Sequence, residues 1–300
     1  MMKMNENTTT GELRSAEKVI SFPEENQRWF SAEKVNGHIT RISGAANELM
    51  YLVEGREKAA LLDTGVGVGD LRGVVESLTD KPVTALLTHG HIDHAMGACE
   101  FDGDIYMSPA DDALYRYHSS PEARPKLMAG LAPDAVPYLN TMRPLNYKPI
   151  HNGDVWDLGG ITIQAYDCPG HTKGMVVFLV VEDRILLLGD ACNANTLVYD
   201  EFGTSIEEYR ESLIRLQDEI RGRVDYTMYS HYPLLLGPEA VPQMIAVCDD
   251  VLNGRGAELP IEFLGTTNYL AKRVDENFVP LDGTIVNLQY SKNNIFRRSV

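Results

Sequence analysis

The sequence contains no long apolar run. None of its hydrophobic stretches approaches the roughly eighteen residues that a bilayer-crossing helix needs, so no membrane span is expected. The opening residues, MMKMNENTTTGELRSAEK, lack the apolar core of a secretory leader, so no signal peptide is expected. Cysteine is scarce. Cys99, Cys168, Cys192 and Cys248 are the only four, and none are in C-x-x-C spacing. A disulfide scaffold is therefore not expected, and the chain reads as a protein of the reducing cytoplasm. Positive charge is also short: 27 Lys and Arg face 43 Asp and Glu, a formal net charge of −16. Nucleic acid would demand a basic footprint, and an anionic membrane surface would repel such a chain, so neither partner is expected.

What the chain does have is apolar material for a core. Hydrophobic residues make up 44% of its 300 positions, and that length suits one large domain. Short runs rich in branched residues and bounded by Gly or Asn read as strands: HITRIS (38–43), ELMYLVEG (48–55) and KAALLDTG (58–65). VGDLRGVVESLTD (68–80) sets Leu71, Val74, Val75 and Leu78 at helical spacing. VTALLT (83–88) is another apolar strand, and 102–117 reads as a strand followed by a helix beginning near Pro109. A second set follows in DVWDL (154–158), ITIQAYD (161–167) and the hairpin of 175–181 with 184–190. Residues 205–220 predict a helix opened by a capping box of Ser205 and Glu208. VDYTMYSH (224–231) reads as a strand, and 238–254 as a helix closed by Gly254.

Strands alternating with helices predict a layered α/β architecture. Residues 1–25 read as a polar N-terminal arm and 26–300 as a single domain. Two segments stand apart within it. Residues 118–150 hold six of the fifteen prolines and predict short helices broken by turns, either a decoration or a lid. Residues 257–300 form a C-terminal extension with strand-like stretches at IEFLG and GTIVNLQY.

The densest chemistry lies in LLTHGHIDHAMGA (86–98), where His89, His91, Asp93 and His94 follow an apolar strand. A loop at a strand end can turn several side chains to one point, and imidazole nitrogen with carboxylate oxygen suits Zn²⁺. Four ligands in one segment do not complete such a site. Three later strand ends carry metal-capable side chains: His171 after ITIQAYD, Asp190 ending RILLLGD, and His231 ending VDYTMYSH.

HGHIDH, then PGHT, GD and SH, preceded by LLDTG (61–65), resembles the metallo-β-lactamase superfamily across roughly residues 35–235. The resemblance implies an αββα sandwich of two mixed β-sheets flanked by helices. It implies two Zn²⁺ ions, with Fe or Mn as alternatives. His89, His91 and His171 would hold the first and Asp93, His94 and His231 the second, with Asp190 bridging. Asp63 and Thr172 would orient ligands from behind. The chemistry implied is hydrolysis by a metal-bridging hydroxide, with Asp93 and Asp190 also the catalytic carboxylates.

The fold does not fix the substrate. Asp190 departs from the zinc β-lactamases, which generally lack a bridging aspartate, and His91 departs from the flavodiiron proteins, which have glutamate there. Asn193 stands where lactonases of this superfamily carry a tyrosine. The reading is a hydrolase of a small carboxyl ester, lactone or thioester. A phosphodiesterase is the alternative within hydrolases, and an iron-dependent redox or metal-sensor protein the alternative outside them. Asn193, Asn195 or Tyr232 would hydrogen-bond a substrate oxygen. The insertion would supply apolar walls through Tyr115, Tyr117, His118, Met128, Leu131, Tyr138 and Met142. The partner is thus a small-molecule substrate; a homodimer is left open.

Overall fold

The computed structural model describes residues 20, 22–231, 235–263, 265–276 and 278–297. After the short helix α1 (Glu24–Gln27), a seven-stranded sheet takes its strands in chain order. They are β1 (Ser31–Lys34), β2 (Ile39–Ser43), β3 (Leu49–Glu54), β4 (Ala59–Leu62), β5 (Val83–Leu86), β6 (Ile105–Met107) and β7 (Lys148–Pro149). The first four pair antiparallel and need only tight turns. From β4 onward the pairing is parallel, which requires crossovers. These carry α2 (Leu71–Leu78), α3 (Ile92–Ala95), α4 (Asp112–His118) and α5 (Arg124–Leu131). Helix α2 starts where the Asp70 carboxylate accepts the Gly73 N–H at 2.8 Å, and it buries Leu71, Val74 and Val75 on the outer face of the sheet.

The second sheet contains β8 (Val155–Asp157), β9 (Thr162–Asp167), β10 (Val176–Val180) and β11 (Ile185–Leu187). The chain then leaves it for β12 (Thr196–Val198) and α6 (Ile206–Glu219). It returns with β13 (Tyr226–Met228) and β14 (Leu235–Leu236), then enters α7 (Ala240–Leu252). The spatial order is β14-β13-β11-β10-β9-β8. The Ser205 and Glu208 capping box opens α6 as the sequence indicates. Apolar residues of both sheets, among them Tyr51, Leu62, Leu86, Val176, Phe178 and Leu187, interleave in one buried cluster. A second cluster seats α6 and α7 on the outer face of the second sheet. This is the layered α/β fold with two mixed sheets. None of the helices among the described residues is long and apolar enough to cross a membrane.

The C-terminal extension is more than an appendage. Its strands β15 (Leu259–Phe263), β16 (Thr266–Leu270) and β17 (Leu288–Tyr290) join β12 in a third sheet, ordered β12-β17-β16-β15. Within the stretch read as a polar arm, Phe22 is buried against the first sheet and Ile20 bridges to Ala32; residues 1–19 lie outside the described residues. The insertion does form short helical pieces, α5 and a 3₁₀ turn over Pro133–Tyr138.

Candidate metal centre

Strands β9, β11 and β13 run in the same direction, since β10 is antiparallel to both β9 and β11 while β11 and β13 are parallel. Their C-terminal ends therefore share one edge. That edge meets the C-terminal ends of β4 and β5, tied to them by backbone bonds from Val176 N to Thr88 O (2.8 Å) and Leu49 N to Ser230 O (2.6 Å). Seven predicted donors converge there. His89 leaves β5, His91 caps the single turn of α3, and Asp93 and His94 lie within that turn. His171 comes from the β9–β10 loop, Asp190 from the end of β11, and His231 from the end of β13.

Three overlapping donor groups form: His89, His91 and His171; His89, His94 and Asp190; Asp93, His94 and His231. Within each, the ligand atoms lie within 4.8 Å of one another. His91 Nδ1 is 3.0 Å from His89 Nε2 and 2.8 Å from His171 Nε2. On the other side, His94 Nε2 is 3.5 Å from Asp93 and 3.4 Å from Asp190, while His231 Nε2 is 3.3 and 3.1 Å from the same carboxylates. Asp190 Oδ2 also reaches to 3.8 Å of His171 Nε2, so one oxygen faces both sides. Ligand bonds of about 2.0–2.1 Å in a tetrahedron separate neighbouring donors by about 3.3 Å, the range seen here.

The rings are oriented by contacts behind them. His171 Nδ1 donates to the Leu197 carbonyl at 2.6 Å, and His89 Nδ1 to Thr88 Oγ1 at 2.9 Å. Both rings thus present an Nε2 lone pair to His91, so at most one of the two contacts there can be a hydrogen bond. His94 Nδ1 donates to Asp63 Oδ2 at 2.9 Å, and its buried Nε2 is left without a hydrogen bond. Converging lone pairs and an orphaned buried nitrogen beside two carboxylates fit divalent cations.

The electrostatics agree with that chemistry. Burial, then the neighbouring imidazoles, hold His89 and His91 well below the usual histidine range, so both are neutral donors. Burial pushes Asp93 and Asp190 up, but His94 and His231 outweigh it and hold both carboxyls well below their ordinary values. Burial opposes the charging of His231, yet Asp190 and Asp93 raise it to about 10. Burial opposes the charging of His94 too, but Asp93, Asp190 and Asp63 hold it well above the ordinary histidine value.

Asp63 lies behind the cluster, in hydrogen-bond contact with His94 and Thr88. It adopts φ +62°, a left-handed conformation rare outside glycine, and its carboxylate also receives Thr88 N at 2.7 Å and Thr88 Oγ1. It therefore steers His94 directly and His89 through Thr88. Thr172 does not reach a ligand. Its hydroxyl donates to Asp111 at 2.7 Å, and Asp111 also accepts from Gly90 N at 2.9 Å and Gly174 N at 2.7 Å. Asp111, which sequence reasoning missed, thus clamps the His89–His91 loop to the His171 loop. Only its placement in a buried helix start gives it that role.

A cavity of about 440 Å³ opens over the cluster. Its walls include Tyr117, His118, Leu127 and Leu131 of the insertion side, Leu197 of β12, Tyr199 and Phe202 after it, and Phe263 and Thr266 of the C-terminal extension. Asn193 and Asn195 line it too. The Asn193 amide is 3.4 Å from Asp190 Oδ1, and Asn195 contacts Gln289 at 3.3 Å. Four of the proposed wall residues do not take part. Tyr138 meets Trp29 at a tilt and lies under the Arg28 guanidinium on the surface, Met142 packs on the cluster beneath the insertion, and Tyr115 and Met128 are buried in that cluster. Tyr232 lies outside the described residues. Cys168 and Cys192 are buried among apolar residues and belong to none of the donor groups.

Comparison with known proteins agrees with this geometry. Residues 44–221 match the family profile described as the metallo-beta-lactamase superfamily. An uncharacterized Mycobacterium tuberculosis protein is 35% identical over 135 residues, 41% of this chain and 55% of that protein, so the chain spans about half of that relative's length. A human acyl-coenzyme A thioesterase is 26% identical over 203 residues, covering 61% of this chain and 72% of that protein. The crystal structure of a metallo-beta-lactamase family protein from Thermus thermophilus superposes with a TM-score of 0.53 at 22% identity, over 74% of this chain and 79% of that one. With the profile covering more than half of its length and the fold agreeing, the chain belongs to the metallo-β-lactamase superfamily.

Proposed function

We propose that the chain is a metal-dependent hydrolase of small acyl substrates, with two zinc ions held in the His–Asp cluster. The observation that carries this reading is the convergence of seven donors at the floor of a largely apolar cavity. His89, His91 and His171 would hold one ion, Asp93, His94 and His231 the other, and Asp190 would contact both. Such ions, when bound, polarise an acyl oxygen and make a water acidic enough to attack at neutral pH.

The chain's own residues do the rest. Asp63, Thr88 and the Leu197 carbonyl fix the ring tautomers, so the ligand set is organised before a substrate arrives. Asn193 holds Asp190 through Oδ1 and leaves Oδ2 for the cluster. Tyr117 and Phe202, stacked at 5.9 Å, with Leu127, Leu131 and Phe263, exclude water and take up the apolar part of the substrate. Among carbonyl substrates a thioester ranks first, supported by the relative named as an acyl-coenzyme A thioesterase.

Alanine variants at His91 and Asp190 test the assignment. Each should lose bound zinc and at least about 100-fold in turnover, because each removes a donor that the remaining residues do not replace. Full metal content and full activity in both variants would refute it.

A further inference from the structure

His118 ends α4 beside His91 and lines the cavity, and none of the contacts described so far explains its ring. Its Nδ1 accepts the backbone N–H of Ile92 at 3.0 Å. A ring nitrogen that accepts carries no proton, so the neutral ring has its hydrogen on Nε2. No hydrogen bond occupies that Nε2 among the described residues, although the side chain is 9% exposed and lines the cavity. The ring is held in place. It stacks on His91 with centroids 5.1 Å apart and planes 21° from parallel, and Phe202 meets it edge-on at 6.4 Å.

Resting on the hydrolase reading above, the geometry points to His118 as a catalytic hydrogen-bond donor. Its Nε2–H is available to the acyl oxygen as negative charge develops there. The Ile92 amide sets the tautomer, and the His91 stack sets the plane, so the donor is oriented before reaction. No proton is transferred in this role: the N–H bond stays intact and the hydrogen bond strengthens as the oxygen becomes an oxyanion. A donor of this kind acts on the transition state more than on the bound substrate, so its loss falls on kcat.

The test uses the zinc-loaded chain and two variants. In His118→Asn the side-chain oxygen can still accept from Ile92, but nothing replaces the Nε2–H. In His118→Gln an amide N–H returns near the Nε2 position. Removal of one such donor costs roughly 100-fold or more in kcat. The expected result is a kcat loss of that size in His118→Asn, with KM within about threefold, zinc content unchanged and partial recovery in His118→Gln. An activated aryl ester and an alkyl thioester should lose equally, since both develop the oxyanion. Selective ¹⁵N-histidine NMR of the metal-free chain should show His118 protonated at Nε2 and not at Nδ1. Retention of kcat within about twofold, a loss carried by KM or by zinc content, or a proton on Nδ1 would overturn the role while leaving the hydrolase reading intact. Absence of turnover by the parent chain on any acyl substrate would remove both.

Discussion

At the scale of single residues, the side chains behind the His–Asp cluster do much of the organising. Asp63 holds His94 by one carboxylate oxygen and reaches His89 through Thr88. The Asp63→Asn variant keeps the size but places an amide where acceptors are needed. It should bind zinc about 10–100-fold more weakly, as measured by competition with a chromogenic chelator. Unchanged affinity would mean that the rings are oriented by packing alone.

His118 also makes a prediction about pH. Burial lowers its pKa from the ordinary 6.5 to about 4. Between those values the unfolded chain binds a proton that the folded chain does not, so this group makes stability fall on acidification from pH 6.5 to about 4. Its share is about 3 kcal/mol in the metal-free protein. His89 and His91, also lowered, act in the same direction. His231, raised to about 10, acts oppositely and stabilises below the unfolded value. Urea unfolding of the metal-free His118→Asn variant should show a shallower acid decline than the parent; equal slopes would contradict the burial argument.

The convergence of the seven His and Asp donors was legible in the sequence because metal-type side chains are few, and here they stand after apolar runs that read as strands. Asp111 was not legible. SPADD reads as an ordinary helix start, and the value of its carboxylate appears only when residues 90, 172 and 174 are brought around it. Tyr138 and Met142 failed as pocket residues for the converse reason: composition places them in the insertion, but only the fold decides which of its faces looks at the cavity.

Elements show the same division. The longer apolar strands and the capped α6 stand where periodicity and capping place them, since each buries a face that its own sequence defines. The third sheet was hidden. β12 has three residues, β16 is the polar TTNYL, and β12 pairs in parallel with β17 some ninety positions later. That pairing bears on the site, because β12 carries the Leu197 carbonyl that orients His171. Truncation after residue 256 removes β15–β17 and exposes the apolar edge at Val198 and the adjoining cluster. The truncated chain should hold fewer than two zinc ions by elemental analysis and should aggregate at lower temperature in thermal scattering. A truncated chain that binds zinc normally and stays equally soluble would show that β12 needs no partner.

For the whole molecule, two sheets bring loops from distant parts of the chain to one edge, and the insertion and the extension both contribute walls to the cavity there. Neither half contains a complete ligand set: His89, His91, Asp93 and His94 come from the first, His171, Asp190 and His231 from the second. Metal binding should therefore couple the halves and raise the unfolding temperature of the full chain with increasing zinc.

The decisive measurement is a hydrolysis panel on the zinc-loaded chain, run beside a chelated control. It sets an alkyl ester, a lactone, an acyl thioester, a phosphodiester and a β-lactam side by side. Chelator-sensitive turnover of a carboxyl substrate, the thioester foremost, is the predicted result. Turnover that survives complete removal of metal, or confined to the phosphodiester, would contradict the assignment of this centre to acyl hydrolysis.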